Sequence, residues 1–369
     1  MRPATALLLG ILAWAGLAAP ARTQDLDRLH FSGDFRLRAE SSHGLKTSPQ
    51  HDRYRGRLRL RLAADYQATA GTSIGFRVRT GNSDDPNNPH QDLGGTGGSN
   101  FDSFALSLDR AFLKYVPDWA EGWWLVGGKF GRPGYWNPVY GELVWDRDVQ
   151  PEGLAVGAGG DGGGAVQAWD VFLADYILTE QAGGEEATML NAGAHAAFAD
   201  GFDAALNYYF YGDVTPDGNR GILADNAGNA TNRAGNQFRS EFGVLNPILA
   251  WRSRDPELPL TISGEYVLNL RAAAGVGDRG WALGAAWGGD ARIYYQYQSI
   301  EQDAIFSAFA QDDFLLTTNH DSHVLGWIVP LAEDVSLHLW GMVSAPHRSG
   351  AGLPPGDRYR FRLDLNLCF

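Results

Sequence analysis

The chain has 369 residues, a formal net charge of −13 and a single cysteine, Cys368. The negative balance argues against nucleic acid as a partner, and one thiol excludes an intrachain disulfide. With 47 glycines and an aromatic share of 12%, the composition does not suit disorder, because disordered chains are poor in aromatics; it suits many turns between amphipathic strands.

Arg2 is followed by an apolar run from Ala4 to Leu17 and by small residues ending in Ala19-Pro20-Ala21. That layout predicts a secretory signal peptide over residues 1–21, cleaved after Ala21, since the run is too short to span a bilayer. No later stretch approaches the roughly 20 consecutive apolar residues of a membrane helix.

Near the start, Phe31, Phe35 and Leu37 alternate with Ser32, Asp34, Arg36 and Arg38; then Leu58, Leu60, Leu62 and Tyr66 alternate with Arg57, Arg59, Arg61 and Asp65. Strand side chains switch faces at every residue, so each segment has one apolar and one polar face. The last segment does the same. Tyr359, Phe361, Leu363, Leu365, Leu367 and Phe369 share one face, while Arg358, Arg360, Arg362, Asp364 and Asn366 share the other.

Connections alternate in length along the chain. Short ones fall at 67–72, 117–122, 160–165, 199–201, 255–259, 288–291 and 331–334; long ones fall at 41–53, 81–102, 131–152, 179–187, 212–236, 271–279, 301–320 and 344–357. Short turns at one end and long loops at the other predict an all-β, antiparallel, up-and-down transmembrane barrel over residues 22–369, with about sixteen strands and a margin of two either way. Closure pairs every strand and leaves no edge in lipid. An even count puts both termini in the periplasm, with the barrel in the cell outer membrane. Tyr66, Tyr115, Trp123, Trp124, Tyr176, Trp251, Trp281 and Trp287 are expected in the two interfacial aromatic girdles. The glycine- and asparagine-rich stretches 84–100 and 217–237 read as solvated loops.

The segments Phe31-Ser-Gly-Asp-Phe-Arg-Leu-Arg38, Asp52-Arg-Tyr-Arg-Gly-Arg-Leu-Arg-Leu-Arg61, Leu108-Asp-Arg-Ala-Phe-Leu-Lys-Tyr115, Gly128-Lys-Phe-Gly131 and Glu142-Leu-Val-Trp-Asp-Arg-Asp148, followed by Pro151-Glu-Gly153, together resemble the putative porin family of Gram-negative bacteria. More distantly, the arrangement is similar to the alginate-export porins. The terminal strand ending in Phe369 resembles the signal read by the outer-membrane barrel-assembly machinery. The resemblance implies a single-chain barrel and passive transport. It identifies no substrate.

Face parity directs Arg36, Arg38, Arg55, Arg57, Arg59, Arg61, Arg77, Arg79, Arg110, Lys114, Lys129, Arg358, Arg360 and Arg362 toward the lumen. On the lipid face each would cost roughly 2 to 4 kcal/mol at the bilayer midplane. Closure makes the first and last strands neighbours, so the two ends of the sequence build one basic wall, which favours anions unless acids neutralise it. Glu142, Asp146 and Asp148, in the segment 131–152, are expected to fold inward and constrict the pore; the alternative is an outer loop with Trp136 and Trp145 at the membrane interface. The function expected is passive diffusion of small polar solutes, favouring anions, with outer-membrane lipid and lipopolysaccharide around the barrel, no cofactor and no metal.

Two other classes compete. Ser336 and His338 sit two apart on one strand and so share a face, as a lipid hydrolase would require, but parity turns them away from lipid. A non-conducting structural or adhesive barrel would instead work through its long loops. His320, Asp321 and His323 form a dense cluster that reads as a solvated loop end rather than a metal site, and Asp84-Asp85 and Asp312-Asp313 could attract divalent cations at the cell surface without the spacing of a calcium loop. Gly157 to Gly164 lacks the ending of a phosphate loop and reads as a turn; Asn229-Ala-Thr231 is a chance sequon.

Overall fold

The alternation of polar and apolar residues becomes, in the computed structural model, a ring of hydrogen-bonded strands; residues 26–44, 52–95, 101, 103–180, 186–216, 228–314, 317–347 and 356–369 are described. In chain order the strands are β1 (Leu29–His43), β2 (Arg53–Gln67), β3 (Thr72–Arg79), β4 (Gln91–Asp92), β5 (Ser107–Tyr115), β6 (Trp123–Lys129), β7 (Glu152–Asp161), β8 (Val166–Thr179), β9 (Ala187–Phe198), β10 (Phe202–Gly212), β11 (Phe242–Arg252), β12 (Leu260–Asn269), β13 (Arg279–Gly288), β14 (Arg292–Ile300), β15 (His320–Ala332), β16 (Val335–Pro346) and β17 (Arg358–Cys368). Two-residue β4 is a fold-back of the loop after β3 onto the upper end of β2, with Arg57 opposite Asp92. The other sixteen strands are the staves of a closed antiparallel barrel.

β1 closes the ring by pairing with β2 on one side and β17 on the other, as the shared apolar face of the terminal segments predicted. Side chains directly opposite on neighbouring strands share a face. Leu37 therefore sits beside Leu58 and Leu365 outside, while Arg38 sits beside Arg57 and Asp364 inside. β13 shows the same division: Leu283 and Trp287 are 56% and 55% exposed, whereas Ala282 and Ala286 are buried. Outward exposure of large apolar residues is what a hydrocarbon solvent requires.

All seven expected short turns join successive strands. Two need glycine for a specific reason. Gly201 (φ +83°) and Gly288 (φ +111°) take left-handed conformations where a Cβ would strike the carbonyls of Arg252 and Ala291.

Several expectations are corrected. Tyr176 is fully buried inside the barrel against Phe130, and Trp124 packs against the same inner cluster, so neither belongs to a girdle. Tyr66, Tyr115, Trp123, Trp281 and Trp287 are exposed on the outer face, and Trp251 packs beside outward Phe202. Residues 157–161 continue β7, leaving the turn to begin after Asp161. His320, Asp321 and His323 open β15, where alternation separates them: His320 is buried inside, while His323 meets Tyr297 edge-to-face outside. The predicted signal peptide lies outside the described residues.

Candidate functional site: an arginine wall faced by two inward loops

The ladder of β17, β1 and β2 sets charges in rows. Asn366, Arg36 and Arg59 form one row; Asp364, Arg38 and Arg57 the next; Arg362, Glu40 and Arg55 a third. Acids are thus interleaved with the arginines. Arg38 makes a two-pronged bond to Asp364 through Nε (2.7 Å) and Nη2 (2.8 Å). Glu40 accepts from Arg362 (2.8 Å) and Arg55, and Asp34 accepts from Arg59 (2.8 Å) and Arg61 (2.6 Å). A fork of two parallel N–H groups matches a carboxylate in charge and shape, and holds it in one orientation.

On the next stave pair a bulge adds a residue. Arg77 faces Arg110 while Val78 faces Leu108, so Asp109 has no opposite number and turns inward together with Arg110. Asp109 then accepts from Arg77 (2.6 Å) and lies 3.3 Å from Arg79, while Arg110 donates to Gln150 (2.8 Å). Lys114 turns inward at the short-turn end, and Arg358 and Arg360 turn inward on β17. Lys129 does not follow. Its ladder partners are Ala111 and Glu152, both on the outer face, and its ammonium bonds Glu152 at 2.6 Å. Gly128, at φ +117°, and the short length of β6 place that pair at the rim, where a charge can reach water.

Residues 131–151, between β6 and β7, run inside the barrel. Asp148 contacts the arginine wall, bonding Arg61 at 2.7 Å with Arg59 at 3.8 Å. Asn137 holds the far side: it donates to Glu265 (3.1 Å) and accepts from Ser263 (2.7 Å). Glu265 in turn accepts from Asn246 (3.0 Å). Arg132 lies 4.2 Å above the Trp136 ring, and Trp145 is 2% exposed, packed on Phe309. The alternative of an outer loop with Trp136 and Trp145 in the interface is therefore corrected.

A second inward segment, 301–314, was not anticipated. Ile305, Phe306 and Phe309 are buried among Tyr211, Phe242 and Trp145. The two segments also join through main chain: Asp146 N donates to Phe309 O at 2.7 Å, and Gln311 N to Glu142 O at 3.3 Å. Asp312 and Asp313 sit here, not at the cell surface; Asp313 pairs with Arg362 and accepts from Tyr140. The signal was available in the run Ala304-Ile305-Phe306, too apolar for a solvated loop.

Between the wall and these segments remains a cavity of about 350 Å³, bordered by Arg36, Arg38 and His338 on one side and Glu142, Asp146 and Asp312 on the other. The loop acids are not equivalent. Burial, reinforced by Asp313, pushes Glu142 up to about 8, and burial with the same neighbour pushes Asp312 up to about 6. Burial pushes Asp313 up as well, but Arg362 and Arg38 override it and hold that carboxyl below the usual range. Near neutral pH, then, the acidic side bears less charge than its composition implies. His338 Nε2 is 3.0 Å from Tyr294 Oη, inside the barrel, where lipid does not reach it or Ser336.

Residues 45–174 match the family described as Putative porin. No curated protein matches the chain. Among solved structures, OprB of Pseudomonas putida is similar at 13% identity and a TM-score of 0.60, covering 96% of this chain and 97% of its own. OmpF of Salmonella typhi, solved with daunomycin, aligns at 10% identity and 0.54 over 92% of this chain and 97% of its own. A mutant of the Rhodopseudomonas blastica porin aligns at 11% and 0.52 over 92% and 100%. At these identities the structures establish the fold alone. The hydrolase reading of Ser336 and His338 would need access to lipid, which their position opposite inward Asn366 and Asp364 does not give. The chain therefore has the fold of a porin-like β-barrel and is similar over residues 45–174 to the family described as Putative porin.

Proposed function

We propose that small hydrophilic solutes diffuse passively through the cavity between the arginine wall and the acidic side of the inward loops, with a slight preference for anions. The observation that carries the reading is the position of residues 131–152: they hold Asp148 against Arg61 while leaving about 350 Å³ open beside Arg36 and Arg38. Opposed rows of fixed charge orient dipolar solutes, and ion pairing along the wall keeps selection by sign weak. Planar-bilayer recording tests it. A conducting barrel whose reversal potential under a salt gradient shows modest anion preference is expected; cation selectivity would remove the preference and keep the channel.

One observation favours a second reading, a non-conducting structural barrel. Apolar residues of both inward segments pack into a continuous cluster within the lumen. Folded protein that never conducts would support it.

The same reading places both termini in the periplasm and the long loops outside. It is supported by the short turns lying at the end of the barrel where Gly33 and Phe369 exchange main-chain bonds of 2.8 and 3.1 Å. Export by the segment 1–21, recognition of the strand ending in Phe369 by the barrel-assembly machinery, and contact of the outer face with lipid and lipopolysaccharide belong to this proposal.

A further inference from the structure

A polar row on the inner wall lies apart from the cavity. Gln298, Ser322, Ser344 and Arg358 are successive ladder partners across β14, β15, β16 and β17, so their side chains line up on one face near the long-loop end. Ser322 and Ser344 are fully buried, and Arg358 is 2% exposed. Ser322 Oγ, Ser344 Oγ and both terminal nitrogens of Arg358 have no hydrogen-bond partner among the described residues.

The two arginines farther along β17 are different. Arg360 donates to the carbonyls of Asp312 (3.0 Å) and Asp313 (2.7 Å), and Arg362 pairs with Glu40 and Asp313. No carboxylate among the described residues forms an ion pair with Arg358. In the next inward row Val324 and Met342, fully covered, stand between Gln296 and Arg360 and offer no anion. A guanidinium removed from water beside such a row needs an anionic acceptor, since a lone buried cation is strongly disfavoured. On its other flank stands Gly44, which brings no side chain against it.

We propose that Arg358, Ser344 and Ser322 form a binding site for an oxyanion, a carboxylate or a phosphate, at the extracellular end of the lumen. The fork of Arg358 supplies two N–H donors to two oxygens, and the two hydroxyls supply one donor each to the remaining lone pairs. Its place on a solute route rests on the passive-diffusion reading, whereas the binding itself does not.

The full-length barrel, folded in detergent, is titrated with sodium acetate, sodium phosphate or sodium chloride at constant ionic strength while the thermal unfolding midpoint is followed. A saturable rise with acetate or phosphate, unmatched by chloride, is expected, and the stronger of the two names the source. Arg358→Gln should weaken the apparent affinity at least about tenfold, with Arg358→Lys falling between because it keeps charge without the fork. Should Arg358→Gln fail to fold, the double variant Ser322→Ala and Ser344→Ala carries the test, with a smaller loss expected. A midpoint indifferent to both oxyanions, or a response unchanged in the variants, overturns the site. Bilayer conductance is recorded in parallel: conduction without binding rejects this site alone, and binding without conduction rejects the transport reading alone.

Discussion

The wall made by β17, β1 and β2 and the wall made by β9 to β12 share an apolar outside and differ within. The first is a lattice of arginines and carboxylates bordering an open cavity. The second presents Asn207, Asn246 and Glu265 in a chain of side-chain hydrogen bonds, flanked by Tyr209 and Phe242, and is covered by residues 131–152. Neutral amides can be taken from water when each finds a partner, so a loop can rest on them. Interleaved ions keep a demand for water even when paired, because desolvating both partners can exceed their attraction. Thus one half of the lumen is packed and the other remains open.

This contrast can be broken most severely by deleting Tyr140 to Asp146, which removes Tyr140, Glu142 and Asp146 from the cavity lining. Single-channel conductance should rise at least about twofold, since the narrowest obstruction sets the current; an unchanged value means the segment does not limit flow. On the charged wall, Asp364→Ala leaves Arg38 buried without its carboxylate and should destabilise the barrel by about 3–5 kcal/mol, read from reversible urea unfolding in lipid. On the amide wall, Glu265→Ala strands the amide of Asn137 and removes one of the two acceptors of the Asn246 amide, for a loss of about 1–3 kcal/mol and noisier open-channel current as the segment loosens. Equal losses at the two sites would erase the distinction between the walls.

The smallest effect sharpens the electrostatics. Glu142 is held neutral below about 8, so it gains negative charge only as pH climbs through that value. Reversal potentials measured from pH 6 to pH 9 should move toward cation preference, and Glu142→Gln should flatten the upper part of that shift. A shift of the opposite sign contradicts the assigned protonation.

Much of the fold was legible because its signals are local. Leu58, Leu60 and Leu62 alternating with Arg57, Arg59 and Arg61 state both strand and face, and parity correctly turned Arg36, Arg38 and Arg362 inward. Parity failed where the backbone departs from regular pleating or a strand stops short. Asp109 and Arg110 share a face through a bulge, and Lys129 turns outward at the end of β6. Tyr176 was misread because an aromatic near a strand end looks the same whether its partner is lipid or Phe130.

Side-chain alternation and turn chemistry act over a few residues, and by themselves they set the number of staves to about sixteen within two, the approximate position of each short turn and the face of the arginines on regularly pleated strands. Tertiary structure alone decided which acid answers which arginine, that residues 131–152 and 301–314 meet inside, and that among the described residues Arg358 has no acid partner while Arg362 has two. Those outcomes depend on contacts between residues as distant as Arg38 and Asp364, or Asp146 and Phe309, which closure of the ring and inward folding of the loops bring together.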